Sequence, residues 1–392
     1  MLRIRFAHPP MRSTLLTTLL LLSACRTGAD ETSAAGFRHL FNGRDLSGWV
    51  AVNTAPSTWS VVDGMLHCSG KPTGELRTER MYQNFILELE WRHMLPGGNA
   101  GIFLWADDLT ARGQPFHRSI EVQVLDHAYG NTESHTTHGD IFPIHGARMT
   151  PINGHGGSRA FPTERHSKPS PEWNHYRITC FEGTISLAVN GKLVTRGYDC
   201  SPRKGYICLE SEGGIVDYRN LRIQQLPPTP IPREEIASAD RGYRNLYSGV
   251  DLSGWRSAGA PGETWQVRDW ILAHTGAGSH TDRSLTTSSS FEDFGFLFDV
   301  RIPPDAVPGQ ILLRGSPAVT ISLDPSDPQY EGHFEEGWNR FEGTLIGDRM
   351  SLSLNGYPVL LHRSVGNAPS QGPWVIAPGG PLELANLFVR PL

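Results

Sequence analysis

Short runs of alternating apolar and polar residues recur along most of the chain. In FILELEWR (85–92) every second residue is apolar, and Glu88, Glu90 and Arg92 fall between the apolar ones. SIEVQVLD (119–126) alternates in the same way. Because successive side chains of a strand point to opposite faces, each run puts one face into a core and the other outward. The pattern predicts an all-β protein of antiparallel sheets packed as sandwiches.

Turn signals separate these runs. Asn190-Gly191 and Asn355-Gly356 each stand between two apolar runs, at the spacing of a two-residue hairpin turn. The chain has 42 glycines and 29 prolines in 392 residues. Turns are therefore frequent, and long helices are not expected.

The order of motifs repeats once along the chain, which predicts two tandem domains. The predicted domains are 37–226 and 243–392, and the Pro-rich stretch 227–242 reads as a semi-stiff linker between them. The matching pairs are FNGRDLSGW (41–49) with YSGVDLSGW (247–255), TWSVVDGML (58–66) with TWQVRDWIL (264–272), and WNHYRITCFEGTISLAVNGKLV (173–194) with WNRFEGTLIGDRMSLSLNGYPV (338–359).

The first 24 residues predict an export signal rather than part of the fold. Three arginines precede an apolar run that is too short to span a bilayer, and small residues stand just before Cys25. We expect cleavage before Cys25, acylation of its thiol, and a short tether over 25–36. An ordinary signal peptide is the alternative. The lipoprotein interpretation places the protein at the periplasmic or outer-membrane face, in contact with the membrane only through its lipid.

Export would permit disulfides, but the cysteine spacing does not decide the pairing. Three pairings are open, and four buried free thiols are an equal alternative. The four cysteines concerned are Cys68, Cys180, Cys200 and Cys208.

Composition argues against a nucleic-acid partner and against a metal. The formal net charge is −5, and the basic residues form no stripe. There is no Cys-x-x-Cys pair, and the spacing of His135, His138 and Asp140 in HTTHGD is not a recognised zinc pattern. We therefore expect neither a metal nor a cofactor.

Several of these motifs together resemble the 3-keto-disaccharide hydrolase domain family. The first copy carries the whole set, and the second copy carries only the scaffold motifs. The resemblance implies a concanavalin A-like jelly-roll sandwich and cleavage of glycosides whose C3 hydroxyl has been oxidised to a ketone. It identifies the second copy as degenerate. The motifs are FNGRDLSGW, TWSVVDGML, LELEWR, GGNAGIFLW (97–105), IEVQVLD, GDIFPIHG and EWNHYRI (172–178).

A ketone at C3 acidifies the hydrogen on C2, so a base can remove it and the aglycone can leave from C1. This route needs a base of near-neutral pKa, a donor for the enolate oxygen and an acid for the leaving group. We take Glu121 and His145 as the catalytic candidates. The substrate-binding candidates are Glu90, Arg92, Asn99, Gln123, Asp126, His127, Arg148 and Lys168.

The clearest difference between the two copies is a long insertion in the first. Between the VLD strand and the following Trp-Asn pair, the first copy has residues 127–172 and the second has only 325–337. Loops of this length in compact domains are often functional. His145 lies inside it, next to Gly146, and His is the side chain most easily tuned to act near neutral pH. We predict that this insertion forms one wall of the sugar site.

The second copy acts as an internal control for the candidates. By sequence alignment Glu121 falls opposite Val319 and Gln123 opposite Ile321, so the polar pair is lost together with the insertion. Trp173 persists in the second copy, and we interpret it as structural.

Two other functions remain open. One is a non-catalytic, lectin-like surface protein, for which Trp105 is the candidate for stacking on a sugar. The other is a conventional glycosidase, with Glu90 and Glu121 as its pair of carboxylates.

Overall fold

A computed structural model describes residues 36–130, 135–136, 139–259, 262–278 and 283–392. The predicted signal peptide, Cys25 and nearly all of the tether lie outside these residues and stay predictions. The described part consists of β-strands and three short 3-10 turns, with no α-helix, and none of its helical segments is long and apolar enough to cross a membrane. The 3-10 turns are Arg233–Glu235, Leu313–Gly315 and Pro328–Tyr330.

Fifteen strands build the first sandwich. They are β1 (Arg38–His39), β2 (Trp49–Val52), β3 (Trp59–Val62), β4 (Met65–Cys68), β5 (Gly74–Thr78), β6 (Phe85–His93), β7 (Asn99–Ala106), β8 (Ser119–Leu125), β9 (Ile141–Ile144), β10 (Arg148–Pro151), β11 (Asn174–Phe181), β12 (Thr184–Val189), β13 (Lys192–Ser201), β14 (Tyr206–Ser211) and β15 (Val216–Gln225).

These strands form two antiparallel sheets. The larger sheet has the order β10-β13-β12-β11-β6-β15-β4-β3, with β1 paired to β15. The smaller sheet has the order β2-β5-β14-β7-β8-β9. One apolar core lies between them and includes Leu87 and Trp91 from the larger sheet and Val122 from the smaller one. The alternation seen in the sequence therefore follows from burial of one face of each strand.

Thirteen further strands build the second sandwich. They are β16 (Arg244–Asn245), β17 (Trp255–Ser257), β18 (Trp265–Arg268), β19 (Ile271–His274), β20 (Leu285–Thr287), β21 (Phe294–Arg301), β22 (Gln310–Leu312), β23 (Thr320–Ser322), β24 (Trp338–Ile346), β25 (Arg349–Leu354), β26 (Tyr357–Ser364), β27 (Val375–Ala377) and β28 (Leu382–Pro391).

The second sandwich repeats the strand order of the first. Its larger sheet runs β18-β19-β28-β21-β24-β25-β26, with β16 paired to β28, and its smaller sheet runs β17-β20-β27-β22-β23. Strands β9 and β10, which belong to the insertion, have no counterpart among the described strands. The predicted all-β fold with two tandem sandwiches is confirmed.

Both predicted hairpins are present. Asn190 and Gly191 join β12 to β13 with φ angles of 50° and 87°, and Asn355 and Gly356 join β25 to β26 with φ angles of 52° and 86°. Positive φ at both central residues is the geometry of a type I′ turn, which Asn-Gly adopts readily.

The linker 227–242 is tied to the first sandwich. The backbone N–H of Ser238 donates to Asp107 (2.9 Å), and that of Arg241 donates to Asp108 (3.0 Å). Elsewhere, the four cysteines left open by the sequence are free and buried.

Candidate active site

The outer face of the smaller sheet of the first sandwich carries a cleft of about 330 Å³. Glu121 on β8 lies between Phe103 of β7 and Phe142 of β9, its cross-strand partners. Paired residues of antiparallel strands point to the same face, so all three side chains leave the core together. The cleft is lined by Asn99, Gln114, Phe116, Glu121, Gln123, Leu125, Tyr129, His135, Phe142, Ile144, His145, Arg159, Glu210 and Glu212.

Gly101 keeps room between two carboxyl groups at the bottom of this cleft. A Cβ at this position would lie 2.9 Å from Oε1 of Glu121 and 2.9 Å from Oε2 of Glu210. The two oxygens are therefore less than about 6 Å apart, closer than the pair of an inverting glycosidase that must admit a water. Oε2 of Glu210 is buried and accepts no hydrogen bond from the described residues.

The cleft shifts the pKa values of its carboxyl groups upward. Burial raises the pKa of Glu121 well above its ordinary value, and the negative charge of Glu212 raises it further. Burial, followed by the charge of Glu121, does the same to the pKa of Glu210. Burial also raises the pKa of Glu212 to about 7, against a hydrogen bond from Asn99 that lowers it. Because like charges this close oppose joint ionisation, the group retains protons near neutral pH.

His145 reaches the cleft from a tight turn between β9 and β10. Its φ is 51° and that of Gly146 is 93°, and the N–H of Ala147 donates to Ile144 O (3.0 Å). β9 pairs with β8 in the smaller sheet, and β10 pairs with β13 in the larger one, so the turn crosses from one sheet to the other. His145 is partly exposed, but desolvation by its neighbours lowers its pKa, although the charge of Glu75 opposes the shift. The imidazole is therefore neutral at pH 7.

Arg159 supplies a cation to the wall formed by the insertion. Its guanidinium lies 3.4 Å from the centroid of the Phe142 ring and donates to Oδ2 of Asp140 (3.2 Å). Asp140 is fully buried, and burial raises its pKa. Since Arg159 also lines the cleft, it can offer further donors to an oxygen atom there.

Two amides form the polar edge of the cleft. Nε2 of Gln123 donates to Oδ1 of Asn99 (2.9 Å) and to the carbonyl of Ala100 (3.3 Å), while Asn99 donates to Glu212. These hydrogen bonds fix the orientation of both amides and leave their remaining donor and acceptor groups for a ligand.

Beside the cleft lies a fully buried group of three different donors. The ring of His117 bonds Glu75, and Sγ of Cys208 is 3.8 Å from Nδ1 of the same ring. One donor atom from each lies within 4.8 Å of the others, so these residues could hold a metal ion. Of the HTTHGD residues, His138 lies outside the described part, and Asp140 binds Thr136 and Arg159 instead.

Several predicted site residues come together in the cleft. They are Glu121, His145, Asn99 and Gln123. The insertion contributes Phe142 and Ile144 from β9, the strand beside Glu121, and His145 and Arg159 from the turn and loop that follow.

Glu90 and Arg92 do not belong to this group, which corrects the expectation from sequence. Both lie on β6 of the larger sheet, in a different sheet from Glu121. Glu90 accepts from Arg219 (2.7 Å), and Arg92 donates to Asp217 (2.9 Å). Alternation showed that they point out of the core but could not show from which sheet.

Four further candidates also lie away from the cleft lining. Asp126 accepts three backbone N–H groups, from Gly97, Ala128 and Ser170, which hold its pKa below its usual value despite burial. Its role is to anchor loops. The other three are His127, which bonds Ser167, Arg148 on β10, and Lys168, whose backbone N–H donates to Asn174.

Trp105 is not available for stacking on a sugar. It is fully buried, and its Nε1 donates to Gln83 O (2.9 Å). Its φ of 56° interrupts the strand alternation and turns the ring into the core. The aromatic residues that do line the cleft are Phe116, Tyr129 and Phe142.

Strand pairing also corrects the alignment of the two copies by one residue. Strands β7 and β8 correspond to β22 and β23, and Val319 and Ile321 belong to the second core. They cannot therefore match outward-facing residues. The corrected partners are Thr320 for Glu121 and Ser322 for Gln123.

Sequence reasoning missed Glu210 and Glu212. They stand in LESEGG (209–214), at the end of β14 and just beyond it, far along the chain from Glu121. The signal available was the contrast with the second copy, where the strand pairing sets Ala377 opposite Glu210.

The fold and the site together define the class of this protein, which is an all-β sandwich with an acidic cleft on one sheet. Residues 36–224 match the family described as "3-keto-alpha-glucoside-1,2-lyase-like domain". The first domain of this chain belongs to that family, which confirms the resemblance. The match does not extend to the second sandwich.

Known proteins resemble about half of the chain. A 3-keto-disaccharide hydrolase of Bacteroides thetaiotaomicron is 25% identical over 245 residues, which cover 49% of this chain and 79% of that one. A crystal structure of a proposed glycosyl hydrolase from Parabacteroides distasonis is 22% identical, with a TM-score of 0.40, and covers 51% of this chain and 98% of that one. A Bacillus subtilis carbohydrate-binding module, CBM66, is 11% identical, with a TM-score of 0.34, over 45% and 96%.

Proposed function

We propose that the first domain cleaves 3-keto-glycosides by elimination and hydration. The observation that carries the proposal is the cleft itself. It brings together two kinds of titratable group: carboxyl groups whose pKa values are raised, and a histidine whose pKa is lowered. This gives a protonated acid and a neutral base in one cleft near pH 7, which is what the reaction requires. Membership of the first domain in its family supports the choice of substrate.

The chemistry balances without a further reactant. A base takes the proton from C2, and the electron pair of that C–H bond forms an enolate with the C3 ketone. The enolate collapses to a C1–C2 double bond and expels the aglycone oxygen from C1, which receives a proton from the acid. Water then adds its oxygen to C1 and a proton to C2, and releases a free 3-keto sugar.

The shifted pKa values support a division of roles. His145, neutral because desolvation lowers its pKa, is the base for the C2 proton. Glu121, protonated because burial raises its pKa, is the acid for the leaving oxygen. Arg159 carries a positive charge that can stabilise the enolate oxygen, since a cation in a partly desolvated cleft favours developing negative charge. Asn99 and Gln123 hold sugar hydroxyls.

A conventional retaining glycosidase fits the cleft less well. Its nucleophile must be ionised, whereas the pKa values of both Glu121 and Glu210 are raised. Glu90, the partner expected from sequence, lies on the other sheet and accepts hydrogen bonds from Arg219 and Asn220.

The test compares a 3-keto-glucoside with its unoxidised parent, using the whole mature chain in D2O. We expect turnover of the keto compound alone, with deuterium at C2 of the product, because the second proton on C2 comes from solvent. Cleavage of the parent without deuterium at C2 would establish the glycosidase instead. Binding without turnover of either compound would establish the lectin-like function.

One variant pair tests the base. We expect His145→Ala to lose about a hundredfold in kcat together with the enzyme-dependent C2 exchange. His39, exposed on the larger sheet, provides the matched control, and His39→Ala should keep both. Product incubated without enzyme corrects for spontaneous exchange next to the ketone.

A further inference from the structure

The connection between β7 and β8 reaches from the cleft to the second sandwich. Residues 107–118 form a hairpin, in which Thr110 pairs with His117 and the N–H of Ala111 donates to Phe116 O (2.8 Å). Gln114 and Phe116, near its tip, line the cleft. The position of this tip therefore sets one wall of the site.

Two buried side chains of the second sandwich hold the tip. Nδ2 of Asn386 donates to the carbonyls of Ala111 and Gln114, both at 3.1 Å. Oδ2 of Asp299 accepts from the N–H of Gly113 (2.7 Å) and from Asn386 (2.6 Å). Gly113 is buried, so its backbone N–H needs a protein partner, and Asp299 supplies one. The tip is thus fixed by backbone contacts that depend on two side chains.

Asp299 is itself held in place. Arg340 donates from Nε to Oδ1 (2.7 Å) and from its terminal nitrogen to Oδ2 (2.8 Å). This bidentate pair compensates a carboxylate that is fully buried and fixes its orientation.

The first sandwich has an acidic residue and an asparagine at the corresponding positions. Strand pairing matches Asp299 with Glu90 and Asn386 with Asn220. Nδ2 of Asn220 donates to Glu90 (2.6 Å), and both asparagines have positive φ, at 54° and 51°. Asn220, however, is exposed, whereas Asn386 is buried. The pair alone therefore does not require a covering segment.

Neighbouring residues explain why the hairpin covers only the second sandwich. In the first, Glu88 and Arg222 face each other across β6 and β15 as an ion pair (2.5 Å). Leu297 and Phe388 take their places in the second and form an apolar cluster with Val52 of the first sandwich. Covering an ion pair costs desolvation, whereas covering two apolar side chains is favourable.

We propose that the outer face of the second sandwich's larger sheet is a docking surface for the hairpin 107–118. Asn386 and Asp299 are positioning residues, and they fix Gln114 and Phe116 in the wall of the cleft. The proposal rests on the proposed function for its effect on turnover, but docking itself is independent of any reaction.

The test measures amide hydrogen exchange of residues 110–116 in the whole chain. Asn386→Ala should raise exchange of this segment at least about tenfold, because the tip loses its acceptor and donor partners. Asn220→Ala, the matched change in the first sandwich, should leave it unchanged. Unchanged exchange in a folded Asn386→Ala protein would overturn the proposal.

Steady-state kinetics provide a second test of the positioning role. Asn386→Ala should raise KM for the keto substrate about tenfold and change kcat much less, since a wall residue is displaced while the acid and base stay in place. Equal loss in Asn220→Ala would contradict a positioning role. If the wild-type chain turns over no keto substrate, the proposed function fails, and the exchange result still decides on docking.

A double variant guards against misfolding of Asn386→Ala. Leu297→Glu with Phe388→Arg installs the ion pair of the first sandwich in the second, on a sheet of the same strand order. We expect the second sandwich to stay folded, as checked by circular dichroism, and the 110–116 segment to gain exchange. Retained protection in this folded variant would likewise overturn the proposal.

Discussion

The two smaller sheets share their strand order and differ in what they present outward. On the first, Glu121 and Glu210 flank Gly101 in a cleft. On the second, the positions of the two glutamates are taken by Thr320 and Ala377. The fold is the same in both cases, so the carboxyl groups are not needed to build it. They lower stability through burial, and a cost of this kind is typical of functional sites.

The larger sheets show the reverse difference. The first keeps a charged outer face, and the second has exchanged its ion pair for Leu297 and Phe388. Each copy has therefore specialised on a different sheet. The following predictions test how far this division of roles holds, beginning with the largest expected effect.

Replacing Glu121 by threonine, the residue at this position in the second copy, should abolish most activity. We expect Glu121→Thr to lower kcat on the 3-keto substrate about a thousandfold, because the acid for the leaving group is removed. The fold should be retained, since Thr320 occupies the same position in the second sandwich. Glu79→Gln, which changes an exposed carboxylate directly after β5 of the same sheet, is the control. Activity of Glu121→Thr within threefold of wild type would show that the outward difference between the sheets is not catalytic.

A smaller effect is expected from closing the gap between the carboxyl groups. In Gly101→Ala the new methyl group would lie 2.9 Å from an oxygen of Glu121 and of Glu210, so both must move. These are the ends of flexible side chains, and the fold can adapt. We expect kcat/KM to fall about tenfold to a hundredfold by misplacement of the acid.

Gly157→Ala is the matched control, because a Cβ there meets open space at an ordinary φ. If the two variants have equal kinetics, the spacing of the carboxyl groups is not what the cleft depends on.

The smallest expected effect is that of Glu212 on the free energy of unfolding. The pKa of Glu212 is about 7 in the folded chain and 4.5 ordinarily. The folded state then binds more protons between these values, and its stability falls as pH rises through this window. Glu212→Gln removes that loss.

We expect the Gln variant to be more stable than wild type by on the order of 2 kcal/mol above pH 7 and equal to it near pH 4.5. Urea unfolding at both pH values measures the difference. If the two proteins differ in free energy of unfolding by the same amount at both pH values, the pKa of Glu212 is not raised on folding. Glu212 would then be solvated and would not belong to the cluster of buried carboxyl groups.

Much of the fold was predictable because strand alternation and Asn-Gly turns are local signals. Repetition within one chain added the tandem arrangement. For the site, the insertion identified His145, and the polar residues of SIEVQVLD identified Glu121 and Gln123. All three line one cleft. Local patterns were sufficient where function lies on a strand and in the loop that follows it.

Prediction failed where pairing between distant strands decides the outcome. Alternation places Glu90 outside the core, but only the pairing of β6 with β11 and β15 assigns it to the larger sheet. Glu210 reaches the cleft because β14 pairs with β7. Trp105 points into the core and not to its expected face, because its own φ is positive. Such long-range and bulge effects leave no periodic trace in the sequence.

The linker fastened beside the hairpin changes what the contact between the sandwiches must achieve. Ser238 and Arg241 bind Asp107 and Asp108 at the base of that hairpin, so the chain itself brings the docking surface of the second sandwich to the hairpin. Separate proteins generally need about 1,200–2,000 Å² of buried surface for a stable complex. A tether of this kind raises the effective concentration of the partner, so that a smaller contact suffices. The duplicated half can then be kept by selection on the geometry of its neighbour alone, without any ligand of its own.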